Sequence, residues 1–183
     1  MNNEDQPRIA PLSKQERSPE QQTLIDDVGS ELNIFTTLIR HPDLFADFHT
    51  FAGGLLRRSG LPERDRETLI LRTAFRCRSD YEWVQHNRIA ADVGLTPALI
   101  AALAEDNPLA TLSPEHALLA RAADQLTSDR DLDAATWHEL RERYTEEQMI
   151  EICMLVGNYA MIAGVLKSLQ VALEDGQTHA PWR

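Results

Sequence analysis

Between Leu61 and Leu95 the chain sets acidic residues and a histidine among apolar positions of helical spacing: Glu67, then Glu82, Trp83 and His86. Histidine ionises nearest neutrality of all side chains, so it suits proton transfer in either direction. A carboxylate hydrogen-bonded to one ring nitrogen fixes the tautomer and stabilises the imidazolium, leaving the other nitrogen to exchange protons with a substrate. Glu82, four residues before His86 and on the same helical face, is placed to supply that orientation. Glu67 is a second acid or base, the more so if burial raises its pKa. Tyr81 and Trp83 offer flat apolar walls for a small ring. The bland alternative is a buried hydrogen-bond network among Glu67, Glu82 and His86, with no catalytic role.

Other chemistries have less support. Two carboxylates and a histidine are possible iron or zinc ligands, but di-iron bundles repeat a Glu-x-x-His spacing on paired helices, and no second copy exists here. No metal site and no cofactor are therefore expected. A Gly-rich phosphate loop and a local Ser/His/Asp arrangement are both absent from the sequence.

These residues must be positioned by helices. Helical patterns run over about 21–39, 42–58, 62–77, 80–93, 96–104, 114–127, 133–143 and 145–174, so the chain reads as an all-α bundle of about eight helices. Ser113-Pro114-Glu115 and Thr96-Pro97 are helix starts, Thr145 to Gln148 has capping-box spacing, and Gly60 and Gly94 sit where helices stop. The turn near Arg78-Ser79-Asp80 is short, so 62–77 and 80–93 pack antiparallel, with Glu67 about one turn deeper than His86. On the first of these helices Leu69, Ile70, Thr73 and Ala74 face the core together with Glu67. Arg64, Arg66, Arg72 and Arg76 fall on the outward face, where surface ion pairing outweighs a role in holding a substrate carboxylate.

Residues 1–20 read as an extended or partly disordered arm, 21–175 as one helical domain, and 176–183, with His179, as a tail that frays. Trp137 reads as core. In the last helix a buried Asn158 and Tyr159 must find partners, and Gly157 and Gly164, seven apart, leave room for another helix.

The 183 residues suit a single domain, and a 43% apolar content describes a folded chain. A formal charge of −11 with only two lysines, Lys14 and Lys167, opposes an electrostatic grip on nucleic acid or anionic membrane. Cys77 and Cys153 lie in different helices and make no C-x-x-C, so they read as buried thiols in a reducing compartment. The first residues lack the apolar core of a signal peptide. The apolar stretch from Ile150 to Leu173, interrupted by Asn158, Lys167 and Gln170, fits a central bundle helix better than a membrane span. A cytoplasmic location follows as the expectation.

Three motifs then carry a resemblance: L-P-x-R-x-R-E-x-x-I-L-R at 61–72, Y-E-W-x-x-H at 81–86 and A-x-x-x-G-L-T at 90–96. Together they resemble the carboxymuconolactone decarboxylase family, which includes the alkylhydroperoxidase D-like proteins. The run from Glu146 to Tyr159 is similar to that family's last helix. The resemblance implies an all-α fold, a homo-oligomer such as a trimer or hexamer, and a site on the two-helix segment. The family's peroxidase branch carries a glutamate, a C-x-x-C and a histidine. Aligned on Glu67 and His86, the cysteine places hold Ser79 and Glu82. Dithiol peroxidase chemistry needs an attacking and a resolving thiol, so it is not expected here. The resemblance instead implies a cofactor-independent acid/base lyase or isomerase acting on a small oxygenated or lactone-type acid. His86, Glu82 and Glu67 would be its catalytic residues, and Trp83 and Tyr81 its substrate-binding ones. A thiol-dependent antioxidant protein using Cys77 and a non-catalytic, ligand-binding oligomer are the alternatives.

Overall fold

The computed structural model describes residues 6–108 and 111–183; the part of the N-terminal arm before residue 6 lies outside them. Among the described residues the structure is all helical: α1 (Pro19–Val28), α2 (Asn33–Leu38), α3 (Pro42–Arg57), α4 (Glu63–Arg76), α5 (Asp80–Asp92), α6 (Pro97–Leu103), α7 (Pro114–Ser128), α8 (Ala134–Arg141) and α9 (Glu146–Leu169), preceded by one 3-10 turn at Lys14–Glu16. Local chemistry sets these limits. Ser18, Thr96, Ser113, Asp133 and Thr145 each accept a backbone N–H at a helix start, and Pro19, Pro97 and Pro114 follow three of those caps in the first helical turn.

Two boundaries differ from the sequence reading. The stretch 21–39 is two helices, because Gly29 takes the left-handed conformation (φ 68°) and its N–H closes on the Ile25 carbonyl. The last helix ends at Leu169 rather than 174, where Gln170 is left-handed at φ 52°.

Helix α4 is the centre of the bundle and packs against α5, α6, α7 and α9. Leu69 and Ile70 join one apolar cluster with Leu119, Met149, Ile152 and Tyr159. Leu71, Ala74 and Phe75 join a second with Trp83, Ala90 and Leu103. A helix that feeds two clusters has no solvent face, and every residue from Asp65 to Phe75 is buried. This corrects the assignment of Arg66 and Arg72 to an outward face. Arg72 is fully buried and makes a paired contact with Asp124, Nε to Oδ1 at 2.6 Å and a terminal nitrogen to Oδ2 at 2.8 Å. Its other terminal nitrogen donates to the carbonyls of Leu103 (3.0 Å) and Glu105 (2.6 Å).

Both ends of the described chain lie on the bundle. Arg8 donates its backbone N–H to the Leu169 carbonyl at 2.9 Å, and Leu12 is buried beside α2. The C-terminal segment folds back onto α2 and α5. Glu174 accepts from the Asn33 N–H (2.7 Å), from the Tyr81 hydroxyl (2.7 Å) and from the Gln85 amide. Asp80 accepts the Ala180 N–H at 2.6 Å and pairs with His179 at 2.5 Å. Trp182 sits edge-on to Phe75 and Trp83, with ring centroids 5.3 and 4.9 Å apart. Trp137, read as core, is 43% exposed. Helix α9 is long and apolar enough to cross a membrane by those criteria alone, and half of that stretch is buried inside the bundle.

Candidate active site

Helix α5 presents Ser79, Glu82 and His86 at successive spacings of three and four, which puts them along one face. That face turns inward, toward Glu67 on α4 and Tyr159 on α9, and all five residues are buried. The antiparallel pairing of α4 and α5 brings Glu67 Oε2 to 2.7 Å from His86 Nδ1. The other ring nitrogen, Nε2, lies 3.0 Å from the Tyr159 hydroxyl, with the two rings edge-to-face. A carboxylate only accepts, so Nδ1 carries the proton toward Glu67 and Nε2 accepts from Tyr159. Arg66 completes the arrangement: its Nε donates to Glu67 Oε1 at 3.3 Å and a terminal nitrogen donates to the Leu56 carbonyl.

The histidine is thus oriented by Glu67, and the role assigned from spacing to Glu82 falls to the partner across the helix pair. Glu82 has a different environment. Neither of its carboxyl oxygens has a hydrogen-bond partner, although the residue is only 3% exposed. Burial pushes its pKa up to about 8; the Ser79 hydroxyl pulls the other way without reaching hydrogen-bond geometry. The acid is therefore mostly protonated at pH 7. The Ser79 hydroxyl and Asn158 Oδ1 are buried and unpartnered as well. Burial, with the nearby charges of Glu67 and Glu82, also holds the Tyr159 hydroxyl well above its ordinary pKa, so it stays a donor.

Tyr81 and Trp83 are not brought to His86. The Tyr81 hydroxyl is bonded to Glu174 and to the Ile34 N–H, and Trp83 packs into the second apolar cluster under Trp182. Tyr159 is the aromatic residue that meets the histidine. A buried hydroxyl in the last apolar helix was the available signal, but the register of α9 against α5 is not readable from either segment.

A cleft of about 790 Å³ opens beside the site's outer end. Its lining includes Arg78, Ser79, Leu166, Lys167, Trp182 and Arg183. Ser79 lies three residues, or about 4.5 Å of helix rise, from Glu82. Among the described residues no group of three or more histidine, cysteine or acidic side chains is placed to hold a metal ion.

The thiols are half-buried rather than buried. Burial, then the nearby Glu82 charge, raises the Cys77 pKa, and burial alone raises that of Cys153. The Lys167 ammonium reaches the Cys77 carbonyl at 2.8 Å, while Cys153 sits fourteen residues earlier on α9, about 21 Å along its axis. Such a pair forms no disulfide. Both thiols are expected to react with an alkylating reagent more slowly than free cysteine at pH 7, accelerating through pH 9. Fast modification of Cys77 at neutral pH in the folded protein would contradict this.

The fold is that of the alkylhydroperoxidase D-like helical bundles. A peroxidase-related protein from Ralstonia eutropha JMP134, described as an alkylhydroperoxidase AhpD core, superposes with a TM-score of 0.74 at 21% identity, over 91% of this chain and 93% of that one. A second, from Silicibacter sp. TM1040, gives 0.74 at 16% identity over the same shares. The debrominase Bmp8, in complex with 2,3,4-tribromopyrrole, gives 0.68 at 18% identity over 91% of each chain. At these identities the likeness is one of fold. Among curated proteins, none matches the sequence significantly. Residues 42–125, which contain Glu67, Glu82 and His86, match the model of the carboxymuconolactone decarboxylase family.

Proposed function

We propose that the protein is a cofactor-independent acid/base lyase or isomerase acting on a small oxygenated or lactone-type acid. The observation that carries this reading is His86 held on both ring nitrogens, by Glu67 at 2.7 Å and Tyr159 at 3.0 Å, beside the unpartnered acid Glu82. Glu67 fixes the tautomer and stabilises the imidazolium when His86 takes a second proton. In an isomerisation that proton comes from Tyr159, whose oxygen in turn takes one from a substrate carbon to give the enolate; Glu82 supplies a proton to the new carbon, and the proton on His86 returns through solvent to Glu82. In a decarboxylation the electron pair of the C–CO₂ bond passes to the enolate as carbon dioxide leaves. The proton from Glu82 then quenches the carbanion, and water restores the acid.

The cleft offers an anionic substrate cationic side chains, set among the acids Asp80, Glu174 and Asp175. Arg78, Lys167 and Arg183 line it. Of its acids, Asp80 and Glu174 are already engaged by His179, the Ala180 N–H, Tyr81 and Gln85. The family match adds decarboxylase chemistry as precedent, and a debrominase on the same fold shows that other reactions are run on it.

The test is turnover of a panel of small lactone and keto acids, read as carbon dioxide release and as deuterium incorporation from D₂O. The His86→Gln variant is expected to lose about 10²-fold or more of the activity, the usual scale of a general acid/base contribution, and Glu67→Gln to follow it. Full activity in both variants removes the relay from the mechanism. A second reading, a non-catalytic ligand-binding protein, draws on one observation: the two described cavities are lined by none of Glu67, Glu82, His86 and Tyr159. It requires ligand binding in the cleft with no turnover of any acid in the panel.

A further inference from the structure

Helix α5 begins without a cap. Ser18, Thr96, Ser113, Asp133 and Thr145 each accept a first-turn N–H of their own helix. Ser79 is as good a capping residue and accepts none. Among the described residues nothing accepts from the N–H groups of Asp80, Tyr81 and Glu82. The Ser79 hydroxyl is equally idle: the residue is fully buried and its oxygen has no partner. It stands against the Glu82 carboxyl on the inward face of the helix. The turn before it is tight, because Arg78 is left-handed (φ 51°) and the Ser79 N–H closes on the Ala74 carbonyl at 2.9 Å. Of Ser79, Glu82 and His86, only Ser79 lines the 790 Å³ cleft.

Idle donors at a buried helix start call for an acceptor, and the positive end of the helix dipole favours a negative one. The acid/base reaction leaves such an atom unassigned: the oxygen on which charge collects as the enolate forms. Tyr159, His86 and Glu82 move protons, and none of them holds that oxygen. Resting on that reading, we propose that the Ser79 hydroxyl and the N–H groups of Tyr81 and Glu82 form an oxyanion hole. It seats the enolate oxygen of a keto or lactone acid that enters from the cleft. The electron pair of the breaking C–H or C–CO₂ bond passes onto that oxygen and returns to carbon when Glu82 delivers its proton; no bond to the protein forms. Fixed donors aimed at charge that develops only in the transition state accelerate the chemical step more than they tighten binding. The acids around this turn permit it. Asp80 is turned to the C-terminal segment, where it accepts the Ala180 N–H at 2.6 Å and meets His179 at 2.5 Å. Glu67 is engaged by Arg66 and His86. Glu82, pushed up to about 8 by burial, is mostly uncharged at pH 7.

The experiment has two arms. In the first, Ser79→Ala and Ser79→Thr are compared with the wild type on an acid of the panel that turns over. Ser79→Ala is expected to lose about 10²-fold in kcat with little change in KM. Ser79→Thr, which keeps a hydroxyl, is expected to recover most of that loss. Because the deleted hydroxyl is unpartnered, Ser79→Ala is expected to unfold at the same denaturant concentration or a higher one. An alanine variant with unchanged kcat overturns the proposal. So does one that unfolds earlier, since Ser79 is then a helix cap in solution. The second arm needs no turnover. Oxalate, a planar dianion resembling the enolate of a keto acid, is titrated into isotope-labelled protein and followed by amide NMR. The Tyr81 and Glu82 signals are expected to move saturably, and Ser79→Ala to weaken binding by about tenfold or more, the scale of one hydrogen bond to a charged group. Shifts confined to other residues, or equal affinity in the variant, overturn the donor set. A panel with no turnover removes the acid/base reading alone, because the oxalate arm reads these N–H groups directly.

Discussion

Replacing Arg72 by methionine is expected to lower the unfolding free energy by about 3–5 kcal/mol, the scale for removing one partner of a buried ion pair. The side chain is completely buried and spends its donors on three groups: the Asp124 carboxylate and the carbonyls of Leu103 and Glu105. Methionine fills much of the volume but leaves those acceptors without donors. Each unsatisfied buried group costs about 1–3 kcal/mol. Asp124 is partly relieved, since its side chain is 27% exposed and Arg76 stands 3.6 Å away. The two carbonyls have no such substitute, and they belong to the end of α6 and the segment after it. The loss is therefore expected to loosen α6 first, and hydrogen exchange near Leu103 is expected to rise. Adding Asp124→Leu to Arg72→Met is expected to recover part of the loss. Denaturant unfolding at fixed protein concentration measures both. A change below about 1 kcal/mol would show that water or a rearranged side chain replaces the guanidinium.

Arg72 is also a residue whose placement the sequence does not disclose. Its charge implies an outward face only on a helix with one buried stripe. Helix α4 is packed on several sides, and a charge is tolerated there because its partner arrives from α7, far along the chain. Periodicity within one segment carries no record of such a partner. The helices themselves were legible, because caps, prolines and left-handed glycines act locally; the missed break at Gly29 had the same kind of signal. Glu67 and His86 were legible as neighbours because the turn joining their helices is short. Tyr159, on a helix reached only after α6, α7 and α8, was legible as a buried polar group but not as the partner of His86. The contacts of the C-terminal segment escape sequence reading for a related reason: His179, Ala180 and Trp182 meet Asp80, Phe75 and Trp83, which only the folded chain brings together.

Glu82 carries the other large expectation, and its sign follows from linkage. The unfolded carboxyl titrates near its ordinary value of 4.5, while burial raises the folded value to about 8. Between those values the folded protein holds a proton that the unfolded chain has released, so stability falls as pH rises through this window. Below about pH 4.5 both states are protonated and the group makes no pH-dependent contribution; above about pH 8 the full penalty is present. At 1.36 kcal/mol per unit, the window is worth on the order of 4–5 kcal/mol. Glu82→Gln keeps the shape and abolishes the titration. It is expected to match the wild type at pH 5 and to exceed it by several kcal/mol at pH 9. The difference between the two proteins isolates this residue, because other titrations are common to both. A difference that stays constant from pH 5 to pH 9 would mean that Glu82 finds water or a donor in solution. The same titration bears on chemistry. If Glu82 is the acid that protonates carbon, turnover is expected to fall above pH 8 as its proton is lost, and the variant, with no proton to give, is expected to be inactive where it is most stable.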